Sequence, residues 1–144
     1  MNKYNILKEF ERNRMLLEDI LGSDETDNIE LTKVGMYLFG DRFKGAYPSD
    51  KMPVLKNNEM CIINTDNMKG EHWIACYRYN NKTYTYDSFD RDVKGLSKYW
   101  KNKNKWVNAN KDRDQSYASS ICGVLSLGWL ISFDKHKTSV IDII

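Results

Sequence analysis

No stretch of this sequence is apolar for long enough to cross a bilayer. The longest run, Ile121 to Phe133, is broken by glycine and serine and falls short of the roughly 20 residues a spanning helix needs. The opening MNKYNILKEFERNR holds no uninterrupted apolar core, so neither a signal peptide nor a membrane anchor is expected there. Proline is scarce: the two present, Pro48 and Pro53, fall in one short segment, which leaves the rest of the chain open to regular structure. The three cysteines, Cys61, Cys76 and Cys122, are odd in number and widely spaced. That pattern does not look like a disulfide framework and favours a reducing compartment. Charge of one sign is also lacking. Twenty-two Lys and Arg against 20 Asp and Glu leave a formal +2, so any nucleic-acid argument must rest on local clustering.

What is present is a globular composition, 41% hydrophobic and 29% charged, on 144 residues. A chain of this size buries one core without staples, so a single domain over 1–144 is expected, with an N-terminal helix and acidic linker over 1–30 and a core over 31–144. Ile6, Leu7, Phe10, Leu17, Ile20 and Leu21 recur at helical spacing and predict a helix from Asn2 to Leu21, stopped by Gly22. Ser23 to Glu30 reads as a polar linker, and Leu31 to Phe39 as a short helix ending at Gly40. Arg42 to Pro53, with its glycine and both prolines, reads as irregular. Met60 to Asn64 predicts a short strand. His72 to Tyr79 and Thr83 to Asp87 flank Asn80-Asn81 and predict a β-hairpin. Leu96 to Lys105 reads as a basic helix, Val107 as part of another short strand, and Lys111 to Ser120 as irregular. Cys122 to Phe133, apolar nearly all round, reads as a buried helix.

The chemistry starts at Cys122. It sits where the polar segment QSYASS meets the buried helix, and a helix N-terminus favours a thiolate through its unpaired N–H groups. The bland alternative is a small buried hydrophobe, which free cysteine often is. Gly123 beside it leaves room for a substrate backbone. A thiol nucleophile needs a base, and the chain offers two histidines. His136 lies in the polar DKHKTS after the last apolar helix, whereas His72 opens a strand. The base needs an orienting carboxylate. With the hairpin turning at Asn80-Asn81, Tyr79 faces Lys82 and Asp87 falls opposite Ile74, on the face of His72 and diagonal to it. Diagonal neighbours sit roughly 7–8 Å apart, within joint reach of an imidazole and a carboxylate. A loop one residue longer or shorter flips the faces. Glu71 points away from His72 in an extended chain, and Asp90 and Asp92 lie beyond the hairpin. Gln115, seven residues before Cys122, is close enough to return its amide to the thiol as an oxyanion donor beside the Cys122 N–H. A zinc site from His72, Cys76 and Cys122 is set aside, since four residues of strand separate the first two by roughly 13 Å.

The order His, Asp, Gln, Cys resembles the adenovirus-type (adenain-like) maturation proteases and their relatives in the SUMO-protease clan. The matching segments are GEHWIACYRY (70–79), YTYDSFD (84–90) and QSYASSICG (115–123). LFGDRFKGAYPSDKMP (38–53) followed by CIINTDN (61–67) is similar to a segment of virophage and Maverick/polinton proteases. The resemblance spans about Leu31 to Phe133. It implies a papain-like, adenain-like α+β fold: a small, mostly antiparallel sheet packed on a buried helix with the nucleophile at its N-terminus. It implies His72 as general base, Asp87 as its orienter, Gln115 as oxyanion donor, Cys122 as nucleophile, and Trp73 and Gly123 at the substrate. The activity implied is a thiol endopeptidase that cleaves viral capsid or precursor proteins at glycine-containing sites, in the virion and the infected cell interior. No cofactor or metal is required by the residues, and the family suggests stimulation by DNA or a viral peptide. The N-terminal helix has no counterpart in the family pattern.

Two other functions use the same residues: deconjugation of a ubiquitin-like modifier, and a binding module that kept the fold without activity. The intact quartet argues against the second. Lys98, Lys101, Lys103 and Lys105, with Tyr99, Trp100 and Trp106 interleaved, form a candidate DNA-binding stretch, since lysines attract phosphates and aromatics stack on bases. The competing reading is a solvated helix face whose aromatics serve the core.

Overall fold

The computed structural model describes residues 2–22, 26–64, 72–93, 105–111 and 121–144. Helix α1 runs Lys3–Leu21. The Asn2 side chain caps it by accepting from the Asn5 N–H at 3.0 Å. Gly22, at φ +84°, ends it with its N–H on the Glu18 carbonyl. Helix α2 spans Asn28–Phe39, three residues longer at its start than expected. Asp27 caps it, accepting from the Glu30 N–H at 2.8 Å. Its polar first turn, Asn28 to Glu30, belongs to the helix and not to a linker, because a cap and a first turn are polar by nature.

Five strands follow: β1 Phe43–Pro48, β2 Met60–Asn64, β3 Trp73–Tyr79, β4 Lys82–Tyr86 and β5 Trp106–Asn108, ordered β1-β2-β3-β4-β5 in one sheet. Part of the segment expected to be irregular is therefore strand β1. Its breakers have a place on an edge: the register with β2 shifts between Phe43 and Ala46, where Gly45 adopts φ +117°, and Pro48 closes the strand. The sheet is mixed and not mostly antiparallel. β2–β3 and β3–β4 pair antiparallel, while β1–β2 and β4–β5 pair parallel. Alternation and composition announce a strand but carry no record of its direction.

The hairpin follows its expected register: Tyr79 pairs with Lys82, Cys76 with Thr85 and Ala75 with Tyr86. Asn80 and Asn81 both hold positive φ, 51° and 64°, as a two-residue turn of this hand requires. Val107 lies in β5, as expected. The predicted helix Leu96 to Lys105 lies outside the described residues except at Lys105.

Helix α3, Cys122–His136, packs one side on the sheet and the other under α1. Trp129 stacks on Tyr86 (centroids 5.6 Å apart) and on Phe133 (4.8 Å). Ile6, Phe10 and Leu17 of α1 are buried, and a Cβ on Gly128 would meet the Phe10 ring at 3.4 Å, so α1 is seated on the core. The other face of the sheet carries a second cluster of Leu55, Cys61, Ile63, Ile74, Cys76, Val93 and Trp106. Among the described residues no helix is long and apolar enough to cross a membrane.

Candidate active site

Cys122 is the first residue of α3 and is 5% exposed. The start of β3 is tied to this helix end twice. The Trp73 N–H donates to Cys122 Sγ at 3.4 Å, and one turn later the Ser126 hydroxyl donates to the Trp73 carbonyl at 3.1 Å. The Trp73 indole N–H reaches the Thr26 carbonyl at 2.9 Å, so the chain ahead of α2 also converges here. His72 immediately precedes Trp73, whose N–H is the one on the thiol.

Asp87 follows the last residue of β4, and its side chain is fully buried. Its Oδ1 lies 2.6 Å from His72 Nε2 and accepts from the Phe89 N–H at 2.9 Å; its Oδ2 lies 2.6 Å from Arg91 Nε. Burial alone pushes the carboxyl up. The bonds and charges of His72, Phe89 and Arg91 outweigh it and hold Asp87 below the ordinary aspartate value. An ionised carboxylate only accepts, so the shared proton sits on His72 Nε2. The Phe89 ring lies parallel to the imidazole at 4.1 Å.

The structure joins His72 to Asp87 through their side chains and Trp73 to Cys122 through its N–H, the two pairs being linked by the 72–73 backbone. Asp90 and Asp92 accept from Asn110 Nδ2 and Asn108 Nδ2. Glu71, Gln115, Lys98, Lys101 and Lys103 lie outside the described residues, and Lys105 is exposed just before β5. Gly123 makes room for the chain itself: a Cβ there would lie 2.3 Å from the Thr26 hydroxyl and 3.1 Å from Leu31. Trp106 is buried in the second cluster, so its ring is a core element and not a stacking surface for a base.

Sequence reasoning missed Phe89, Arg91, Asn108 and Asn110. Asn110 Oδ1 lies 3.4 Å from the Asp87 N–H, and Asn108 Oδ1 accepts from the Val93 N–H at 3.1 Å, so β5 and the residues after it pin both ends of the loop 87–93. The available signal was an aromatic and a cation two and four residues after the acid, which has no force until the acid is placed. Comparison with family models, curated proteins and solved structures finds no match to this chain.

Proposed function

We propose that this chain is a cysteine endopeptidase with a papain-like, adenain-like active site. The observation that carries the reading is the connected run Asp87–His72–Trp73–Cys122, ending on a thiol at a helix N-terminus. With Nε2 committed to Asp87, His72 Nδ1 is the nitrogen for the Cys122 proton. Proton transfer gives a thiolate, favoured by the α3 N-terminus and the Trp73 N–H, beside an imidazolium favoured by Asp87. The thiolate attacks the scissile carbonyl carbon, and the electron pair moves onto oxygen. The Cys122 N–H and the Gln115 amide are the assigned donors to that oxyanion. His72 then gives its proton to the leaving amine as the C–N bond breaks, leaving a thioester. Water, deprotonated by His72, attacks the thioester and releases the acid and the thiol.

The substrate class follows from the family resemblance: viral capsid or precursor proteins, cut at glycine-containing sites during maturation. Trp73 stands on the substrate side in the resemblance, whereas the space at Gly123 is taken by Thr26 and Leu31 of the chain itself. DNA, through Lys98, Lys101, Lys103 and Lys105, and a viral peptide are the candidate stimulators. The test is hydrolysis of a glycine-containing capsid-precursor protein by the purified chain. The wild type is expected to cut it and Cys122→Ala to leave it whole with an unchanged circular-dichroism spectrum. Equal cleavage by both would overturn the assignment.

A further inference from the structure

We propose that Arg91 and Phe89 are positioning residues that lock the His72–Asp87 pair, a role that rests on the reading of that pair as base and orienter. A carboxylate can aim one oxygen at an imidazole only if its second oxygen is also held, since otherwise rotation about its last bond exchanges or removes the contact. Asp87 Oδ2 is held by Arg91 Nε at 2.6 Å, while Oδ1 serves His72 at 2.6 Å and the Phe89 N–H at 2.9 Å. Asp87 is fully buried, so loss of the arginine leaves a buried charge with a weakened set of partners. The imidazole needs a wall as well. Phe89 supplies it, with its ring 4.1 Å from the imidazole and only 9° from parallel. The Arg91 guanidinium lies 5.5 Å from the centroid of that same ring, so one side chain braces both the acid and the wall. Asn110 and Asn108 anchor the backbone of this loop at Asp87 and Val93, which makes Asp87-x-Phe89-x-Arg91 a fixed unit. The Arg91 side chain is 31% exposed, and its described contacts are with Asp87 and Phe89, so it acts through them.

A proton donated by His72 to a buried carboxylate exchanges slowly with water and gives a proton NMR signal downfield of the amide envelope. The chain has two histidines, so His72→Gln and His136→Gln assign that signal without ambiguity. In Arg91→Gln the signal is expected to broaden into the water, with kcat on a cleaved peptide falling roughly tenfold or more and KM unchanged, the pattern of lost orientation. Arg91→Lys should restore most of both, because the contact is a single donor to Oδ2 and not a two-pronged fork. An arginine that only stabilised the loop would lower the melting temperature and leave the signal sharp. A sharp, unshifted signal in Arg91→Gln, or failure of Arg91→Lys to recover it in a folded protein, overturns the proposal. The signal needs no substrate. If the wild type cuts nothing, the protease reading fails, and the NMR comparison still decides the role of Arg91, as the same measurement on Phe89→Leu decides that of the Phe89 wall.

Discussion

Cys61 and Cys76 pair across β2 and β3, both without exposed surface, and burial, reinforced by Cys61, pushes the Cys76 thiol well above its ordinary value. Cys122, although also buried at 5% exposure, differs in its surroundings: it opens a helix, receives the Trp73 N–H and lies beside the residue that follows His72. Iodoacetamide is therefore expected to label Cys122 well before the other two in the native protein. Earlier labelling of Cys61 or Cys76, read by peptide mass mapping, would remove Cys122 as nucleophile. Asp87→Asn should slow cleavage with little change in KM, because a neutral amide neither fixes the imidazole proton nor balances the imidazolium. Gln115→Ala should cost about a hundredfold in kcat, the scale for one lost oxyanion donor. Full activity in either variant contradicts its assigned role. His72 and Asp87 were legible in advance because Asn80-Asn81 fixes the hairpin register and alternation does the rest. Arg91, Phe89 and Asn110 were not, because loop positions have no period from which to infer a neighbour.

Two contacts decide how the outer helix and strand join the core. Helix α1 buries Phe10 against Gly128, with the Phe10 ring edge-on to Tyr86 at 6.5 Å, and Glu9 binds Lys135 and His136 of α3 at 2.9 Å each. Phe10→Ala should cost about 3 kcal/mol, read as a lower denaturation midpoint, and removal of residues 1–21 should cost more. An unchanged midpoint in both would mean that α1 contributes nothing to the core. At the far end of α3, Asp134 accepts from both guanidinium nitrogens of Arg42 (2.7 and 2.9 Å) and from the Tyr77 hydroxyl (2.6 Å). The Arg42 bonds above all lower its pKa from 3.8 to about 2. A depressed carboxyl contributes stability above its unfolded value and loses it as pH falls through the folded one. Arg42→Gln should thus be less stable near neutrality by about 1 kcal/mol, allowing for solvent screening of a half-exposed arginine. That gap should close as pH falls from 3.8 towards 2; a gap that widened would contradict the account. The hairpin and α3 could be read from turn chemistry and unbroken apolarity. β1 and the first turn of α2 could not, since a glycine, a proline and a polar cap look like loop until an edge strand or a helix start claims them.

At the scale of the whole molecule the central meander β2-β3-β4 has a parallel strand on each edge, α3 covers one face and the second apolar cluster fills the other. This arrangement sets the site at one end of the sheet, where the start of β3, the end of β4 and the start of α3 meet. The sequence pattern supplied the three strands of the meander and the buried helix; the parallel edges came from connections whose paths leave no periodic trace. Changing Lys98, Lys101, Lys103 and Lys105 to Gln removes four positive charges and, if they tether DNA, should weaken duplex binding and flatten its salt dependence. Equal binding by both proteins across the salt series would make the segment a solvated face, the role that the buried Trp106 favours. The most direct measurement of the central claim is unbiased mapping of new protein termini after incubating a viral structural-protein mixture with the wild type and with Cys122→Ala. The account predicts new termini at glycine-containing sites with the wild type and none with the variant. The same termini with both proteins, or none with the wild type, would contradict it.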